Sequence, residues 1–225
     1  MNNIAIDGPA GAGKSSIARE VSKRLGIIYL DTGALYRAVG LYMIKNDIDL
    51  KKTDRVVLAL KNCQISIGYV GKSQKVFLCG KDISDFIRSD QVSMAASDVS
   101  AICQVREYLL DLQRDIAKNH DVVMDGRDIG TVVLPDANVK IFLTASINSR
   151  ARRRFNELLK MGQEVKFEEV LKYIKQRDLQ DTNRKFAPLK IAPDAILIDT
   201  TNLSLEESVE NVLKIIKKNG VEKNI

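Results

Sequence analysis

One histidine, no tryptophan, three cysteines and 5% aromatic residues are all that this 225-residue chain carries of those types. Each scarcity closes off a chemistry. His120 stands alone in the polar stretch KNHD, and Cys63, Cys79 and Cys103 form neither a CxxC pair nor a Cys/His cluster. No ligand set for structural zinc remains, and an odd number of scattered cysteines fits free, mostly buried thiols. So few aromatics leave few platforms on which single-stranded bases could stack. No apolar run is long enough to span a bilayer. The first residues lead almost directly into NIAID, which is too short and wrongly flanked for a secretory segment, so the chain is expected to be cytoplasmic. It also has no internal repeat, no low-complexity stretch and no evident partner-binding seam, and a monomer is the default expectation.

What is present is 45% hydrophobic residues and a formal charge of +6. The first is enough for one substantial core with a smaller appended lobe. The second implies anionic partners. Lysines are scattered, whereas arginines gather in a few short segments. Arginine suits fixed bidentate grips on phosphate, and scattered lysine keeps a surface soluble.

Short apolar runs at 4–7, 27–30, 122–125, 139–143 and 195–198 alternate with helical patterns. That rhythm predicts an α/β fold, a five-stranded parallel sheet flanked by helices. Ile17, Val21 and Leu25 mark one amphipathic helix. Val105, Leu109, Leu112 and Ile116 mark a second, and Leu205, Val209, Val212 and Ile216 a third, followed by a lysine-rich solvated tail. Two stretches break the rhythm. Residues 63–84 alternate apolar and polar around Gly71-Lys72-Ser73, as an inserted antiparallel hairpin does. Residues 147–184 are strongly charged with few large apolar side chains and read as exposed helices.

GPAGAGKS, Gly8 to Ser15, fills every position of G-x-x-x-x-G-K-[ST] between a strand and an amphipathic helix. Its glycines let backbone N–H groups turn inward on phosphate oxygens. Lys14 reaches the outer phosphates, the Ser15 hydroxyl is placed to ligate Mg²⁺, and the helix N-terminus adds partial positive charge. Nucleoside triphosphate binding follows, through Gly8, Pro9, Ala10, Gly11, Ala12, Gly13, Lys14, Ser15 and Ser16. Asp125, ending an apolar strand, resembles the acid that completes such a magnesium site, directly or through water; a strand-end aspartate that caps a turn would read the same.

The acceptor should approach from the neighbouring strand ends. Three segments arrive there: DTGALYRAV, in which Thr32 can cap the helix carrying Tyr36 and Arg37; MDGRDIGTVV, with Arg127 and Asp128; and QRDLQDTNR. In the last, Arg177, Asp181 and Arg184 fall at i, i+4 and i+7 and share a helical face. An exposed ion-pair ladder would look the same and contribute little. Arg37, Arg106 and Arg127, supplied by other elements, favour a gathered cluster instead, and a cluster beside a P-loop suggests a second phosphate group. A phosphate acceptor, with its second pKa of about 6, needs no general base. Fixed arginines oppose the repulsion between two anions, on the order of 10³–10⁵ in rate for one well placed.

The motifs DGPAGAGKSS, DTGALYRAV, DGRDIGTVVLPDA, VKIFLTAS and QRDLQDTNRKFAPL, in this order and over essentially the whole chain, resemble those of bacterial-type cytidylate kinases. The resemblance implies a P-loop NTPase fold with an inserted antiparallel-β monophosphate-binding domain and a helical lid. The core would comprise 1–50, 101–146 and 187–225, the monophosphate domain 51–100 and the lid 147–186. It implies transfer of the γ-phosphoryl of MgATP to CMP or dCMP. The acceptor would be held by Thr32, Tyr36, Arg37, Ser97, Arg106, Arg127, Asp128, Arg177, Asp181 and Arg184, with catalysis by Lys14, Arg127, Arg177 and Arg184. Ser97, Arg106 and Asp128 would read cytosine, and Asp181 with Arg177 would hold the sugar hydroxyls. On the residues alone, Ser97 reads as ordinary helix packing and Tyr36 equally as core. Arg150, Arg153 and Arg154 share a helical face that either meets ATP, with Arg153 the chosen contact, or faces solvent. Two rivals stay open: a kinase for another acceptor such as UMP, and a non-catalytic basic P-loop protein that binds nucleic acid.

Overall fold

The computed structural model describes residues 1–71 and 73–221. The chain opens with β1 (Asn3–Asp7), α1 (Lys14–Leu25), β2 (Ile28–Asp31) and α2 (Thr32–Lys45). An excursion follows: α3 (Thr53–Leu60), β3 (Ile65–Val70), β4 (Ser73–Leu78), β5 (Lys81–Asp82) and α4 (Asp90–Val99). The α/β rhythm resumes with α5 (Cys103–Asn119), β6 (Val122–Gly126), a π-helical turn (Ile129–Val133) and β7 (Val139–Thr144). A helical pair, α6 (Ile147–Lys160) and α7 (Phe167–Asn183), precedes β8 (Ile196–Asp199) and α8 (Leu205–Lys218).

The five long-range strands form one parallel sheet in the order β2-β6-β1-β7-β8. Its inner strands are apolar on both faces because helices cover both, as parallel sheets require. Ile4, Ile6 and Leu143 pack with Ile17 and Val21 of α1 and Val209, Val212 and Ile216 of α8. On the opposite face Ala5, Leu30, Val122 and Met124 pack with Ile129, Val133 and Ala117. The strands end together at Asp7, Asp31 and Asp125, which places three acids along one rim.

The inserted element is a three-stranded sheet in the order β3-β4-β5, one strand more than the expected hairpin. β5 was overlooked because Lys81 and Asp82 are both polar and lack a period. Lys72, in the expected turn, lies outside the described residues. The sheet leans on the core at its tip, where Gln74 Oε1 accepts from the Asp31 backbone N–H at 2.7 Å. Val76, Leu78 and Ile83 share a core with α2, α3, α4 and α5.

Several expectations change. Asp31, not Thr32, caps α2: its carboxylate accepts from the Ala34 N–H at 3.0 Å, as short acids at helix starts do. Thr32 is already helical, and its hydroxyl donates to the Asp125 carbonyl at 2.7 Å. Arg184 lies one residue beyond α7, with ψ at 135°, so it leaves the helical face it was expected to share. The α6–α7 pair is not merely exposed, since Ala151, Leu158, Val170 and Ile174 form a small core between the helices. Leu205, expected on the apolar face of α8, is 53% exposed because it occupies the first helical position, away from the sheet. Lys217 to Gly220 are solvated as expected, whereas Val221 returns to the core; residues 222–225 lie outside the described residues.

Candidate functional site

A cleft of roughly 620 Å³ runs along the carboxyl ends of the sheet, a size that suits ligands of nucleotide scale. One end is the loop between β1 and α1. Gly8 has φ 148°, and a β-carbon there would lie 2.0 Å from the Leu143 carbonyl oxygen; one at Gly11 would meet the Arg150 carbonyl at 2.9 Å. The loop is pressed onto its neighbours, and glycine is what lets it fit. Ala10, Gly11, Gly13, Lys14, Ser15 and Ser16 line the cleft, while Gly8, Pro9 and Ala12 stand behind it and shape the curve.

Lys14 is buried and donates to the Pro9 carbonyl at 2.8 Å. Burial, then the Arg127 charge, pulls its pKa well below the ordinary lysine value. Next to it, the Ser15 hydroxyl donates to Asp125 Oδ2 at 2.7 Å. The Tyr29 hydroxyl donates to Asp125 Oδ1, also at 2.7 Å. Burial and the nearby Asp31 push the Asp125 carboxyl up, opposed by Lys14. The paired hydroxyl and carboxylate are hard oxygen donors beside a phosphate cradle, which suits Mg²⁺. Among the described residues no group of three or more His, Cys, Asp or Glu gathers to hold a metal. A two-oxygen protein contribution matches an ion whose other ligands are phosphate and water.

The other end of the cleft collects every residue expected for the acceptor, including Ser97, which is buried in α4 and also lines the cleft. Arg127 Nε donates to Asp181 Oδ2 at 2.7 Å, and Arg184 Nη2 donates to Oδ1 at 2.8 Å. Burial pushes the Asp181 carboxyl up, but Arg127, Arg184 and Arg177 more than offset it, and its pKa lies below the ordinary value. Arg37 pairs with Asp31 at 2.6 Å. Arg177 donates to the Tyr173 hydroxyl at 3.3 Å. The Nε atoms of Arg37 and Arg177 are buried donors without an acceptor among the described residues. Such donors are costly unless an anion meets them.

Deeper in, Arg106 Nη2 donates to Asp128 Oδ2, both groups being buried, and Arg106 Nη1 donates to the Ser100 carbonyl at 3.3 Å. The Arg106 guanidinium lies 5.3 Å over the Tyr36 ring. Tyr36 thus packs against the core and also lines the cleft, and burial pushes its hydroxyl up to about 12 against the pull of Arg106.

The three arginines of α6 diverge. Arg150 is buried, donates to the Ala10 carbonyl at 3.0 Å and pairs with Asp178 at 2.7 Å, so it braces the P-loop against α7. Arg153 lines the cleft and bonds Thr200 through Oγ1 at 3.0 Å and through the carbonyl. Arg154 also lines the cleft, paired with Asp90 at 3.2 Å and Glu157 at 3.0 Å.

Sequence reasoning missed Asp7. Its carboxylate accepts from the Ile129 N–H at 2.8 Å and the Gly130 N–H at 2.7 Å, holding the π-helical turn directly after Asp128. Burial raises it to about 6, with the two N–H bonds pulling the other way. An acid ending an apolar strand was a signal available for Asp7, as it was for Asp125. Asp178 and Gln180 lie within the QRDLQDTNR segment without an expected role there, and nothing in the sequence singles out Gln74.

A parallel sheet, a complete P-loop with an acid beside it, and a facing cluster of arginines define a P-loop kinase whose acceptor is also anionic. The sequence profile of the cytidylate kinase family matches residues 4–218. The cytidylate kinase of Caldicellulosiruptor saccharolyticus is 53% identical over 216 residues, 96% of each chain. That of Carboxydothermus hydrogenoformans is 51% identical over 97% of this chain and 99% of its own. That of Fusobacterium nucleatum is 46% identical over 97% and 99%. The chain belongs to the cytidylate kinase family. Among solved structures, an uncharacterized protein from Eubacterium ventriosum superposes with a TM-score of 0.51 at 13% identity, covering 96% of this chain and 99% of that one; this likeness concerns the fold alone. Among the described residues no helix is long and apolar enough to cross a membrane.

Proposed function

We propose that the cleft moves the γ-phosphoryl group of MgATP to CMP or dCMP, releasing ADP and CDP or dCDP. By family the chain is a (d)CMP kinase; the division of labour among its residues is our reading. The P-loop amides and Lys14 cradle the triphosphate, with Arg153 alongside. Ser15 and Asp125 would hold Mg²⁺, which when bound neutralises charge on the triphosphate. Arg37, Arg127, Arg177 and Arg184 hold the acceptor phosphate, with Tyr36 and Thr32 beside them, and steady charge on the group in transit. Asp181 retains lone pairs beyond those taken by Arg127 and Arg184, and with Arg177 it holds the sugar hydroxyls.

Base choice follows from donor and acceptor polarity. Arg106 only donates. Asp128 accepts, and its Oδ1 remains for the exocyclic amine that cytosine has and uracil lacks. In this reading 51–100 is the monophosphate-binding domain, 147–186 the lid and the remainder the core, in a monomer working in the cytoplasm on pyrimidine nucleotides. The observation that supports it is the pair of buried Nε donors on Arg37 and Arg177, without an acceptor among the described residues, on two side chains that line the same cleft as the P-loop. An assay of CMP, dCMP, UMP and AMP with MgATP tests it. CMP and dCMP should be the preferred acceptors, and UMP outperforming both would overturn the base assignment.

A further inference from the structure

The Gln180 side chain of α7 meets Ser97 of α4 twice. Gln180 Nε2 lies 3.2 Å from the Ser97 carbonyl oxygen, and Gln180 Oε1 lies 3.0 Å from Ser97 Oγ. Chemistry alone settles which amide atom is which. A backbone carbonyl only accepts, so the atom facing it is the nitrogen and the other is the oxygen. The Asp98 carboxyl, pushed up by burial, is pulled back by a hydrogen bond with the same amide, and a carboxylate takes such a bond from nitrogen. With an oxygen 3.0 Å away, the Ser97 hydroxyl must spend its single proton on Gln180. Toward the cleft that Ser97 lines, only lone pairs remain.

We infer that Gln180 is a specificity-determining residue: by taking the Ser97 proton, it makes that hydroxyl an acceptor only, suited to the cytosine amine and unsuited to the uracil carbonyl at the same ring position. The inference rests on the reading of Ser97 as a base contact. Gln180 itself touches no part of the base and acts through Ser97 as a positioning residue. Without it the hydroxyl turns freely and donates to a uracil oxygen as readily as it accepts from an amine. The Ser97 carbonyl is not orphaned by the loss, because the Ser100 hydroxyl also donates to it, at 2.8 Å.

The test is the ratio of kcat/KM for CMP to that for UMP, both measured on one preparation so that any loss of folded enzyme cancels. Gln180→Met should lower the ratio about tenfold, as expected for reversing one neutral hydrogen bond, mainly by raising kcat/KM for UMP. Gln180→Ala, which adds no bulk, should act in the same direction. Ser97→Ala should also lower the ratio, and Gln180→Met should then add nothing. If Ser97→Ala lowers the ratio but Gln180→Met does not, the polarity role of Gln180 is wrong while Ser97 stands. An equal drop from Gln180→Met with and without Ser97 would also overturn it, by showing that the effect bypasses the hydroxyl. A ratio untouched by Ser97→Ala removes Ser97 from base reading and the inference with it.

Discussion

Arg127 Nε sits 2.7 Å from Asp181 Oδ2, joining the turn after β6 to the end of α7, while Arg184 occupies the other carboxylate oxygen. One buried acid therefore ties the P-loop side of the molecule to the helical pair. Asp181→Ala leaves two guanidinium groups facing each other and should destabilise the protein by about 3–5 kcal/mol in urea denaturation. Since the pKa of Asp181 is depressed in the folded state, its contribution is present above the unfolded value of about 3.9 and is lost as pH falls through the lower folded value. The gap between wild type and variant should therefore close on strong acidification, and a gap of constant size would contradict the ion-pair account.

Arg177 has few obligations to the fold: its one protein hydrogen bond is to the Tyr173 hydroxyl, and its Nε has no partner among the described residues. Arg177→Ala should therefore leave the melting temperature within a few degrees of wild type while lowering kcat on the order of 10³-fold. ATP affinity, read by fluorescent-nucleotide displacement, should hardly move. Weak ATP binding with an intact kcat would place Arg177 at the donor instead.

The Ser15–Asp125 contact predicts a metal phenotype. Asp125→Asn keeps the shape and the Tyr29 contact but removes a negative charge from the oxygen pair. The Mg²⁺ concentration for half-maximal activity should rise ten- to a hundredfold, with a smaller rise for Ser15→Ala, because second-sphere and ligand changes commonly cost that much. An unchanged Mg²⁺ titration for Asp125→Asn would place the ion elsewhere.

The parallel strands were legible because strands buried on both faces are written as unbroken apolar runs; all fall within a residue or two of their expected places. The P-loop and the arginine segments were legible because phosphate chemistry tolerates few residue types. What escaped depends on partners far apart in the chain. Arg150 resembled Arg153 and Arg154 in sequence, yet only its position against Ala10 and Asp178 makes it a brace. Thr32 and Asp31 are both good caps, and which one caps α2 follows from where β2 ends. The core of the α6–α7 pair escaped because Ala151, Leu158, Val170 and Ile174 are few and spread over two helices.

Asp7 links pH to the geometry of the base-reading turn. Its carboxyl titrates near 6 in the folded protein, against about 3.9 when unfolded. Below about pH 4 the group is protonated in both states. Between there and about 6 the folded state holds the proton and the unfolded state does not, so stability falls as pH rises. Above 6 the loss is complete, at about 3 kcal/mol for two pH units. Asp7→Asn has no such ionisation. At pH 4 the neutral Asp7 carboxyl, like that amide, presents a single carbonyl acceptor to Ile129 and Gly130, so the two side chains should differ little there; above 6 the variant lacks the second acceptor oxygen that the carboxylate offers. Urea denaturation from pH 4 to 8 should show the variant close to wild type at pH 4 and increasingly more stable than wild type, by up to about 3 kcal/mol, as pH rises through 6. The turn it loosens begins at Asp128, so the KM for CMP should rise several-fold while that for ATP stays put. A stability difference that is flat across pH 4 to 8 would mean that Asp7 keeps an ordinary carboxyl pKa, and that its two N–H bonds outweigh its burial.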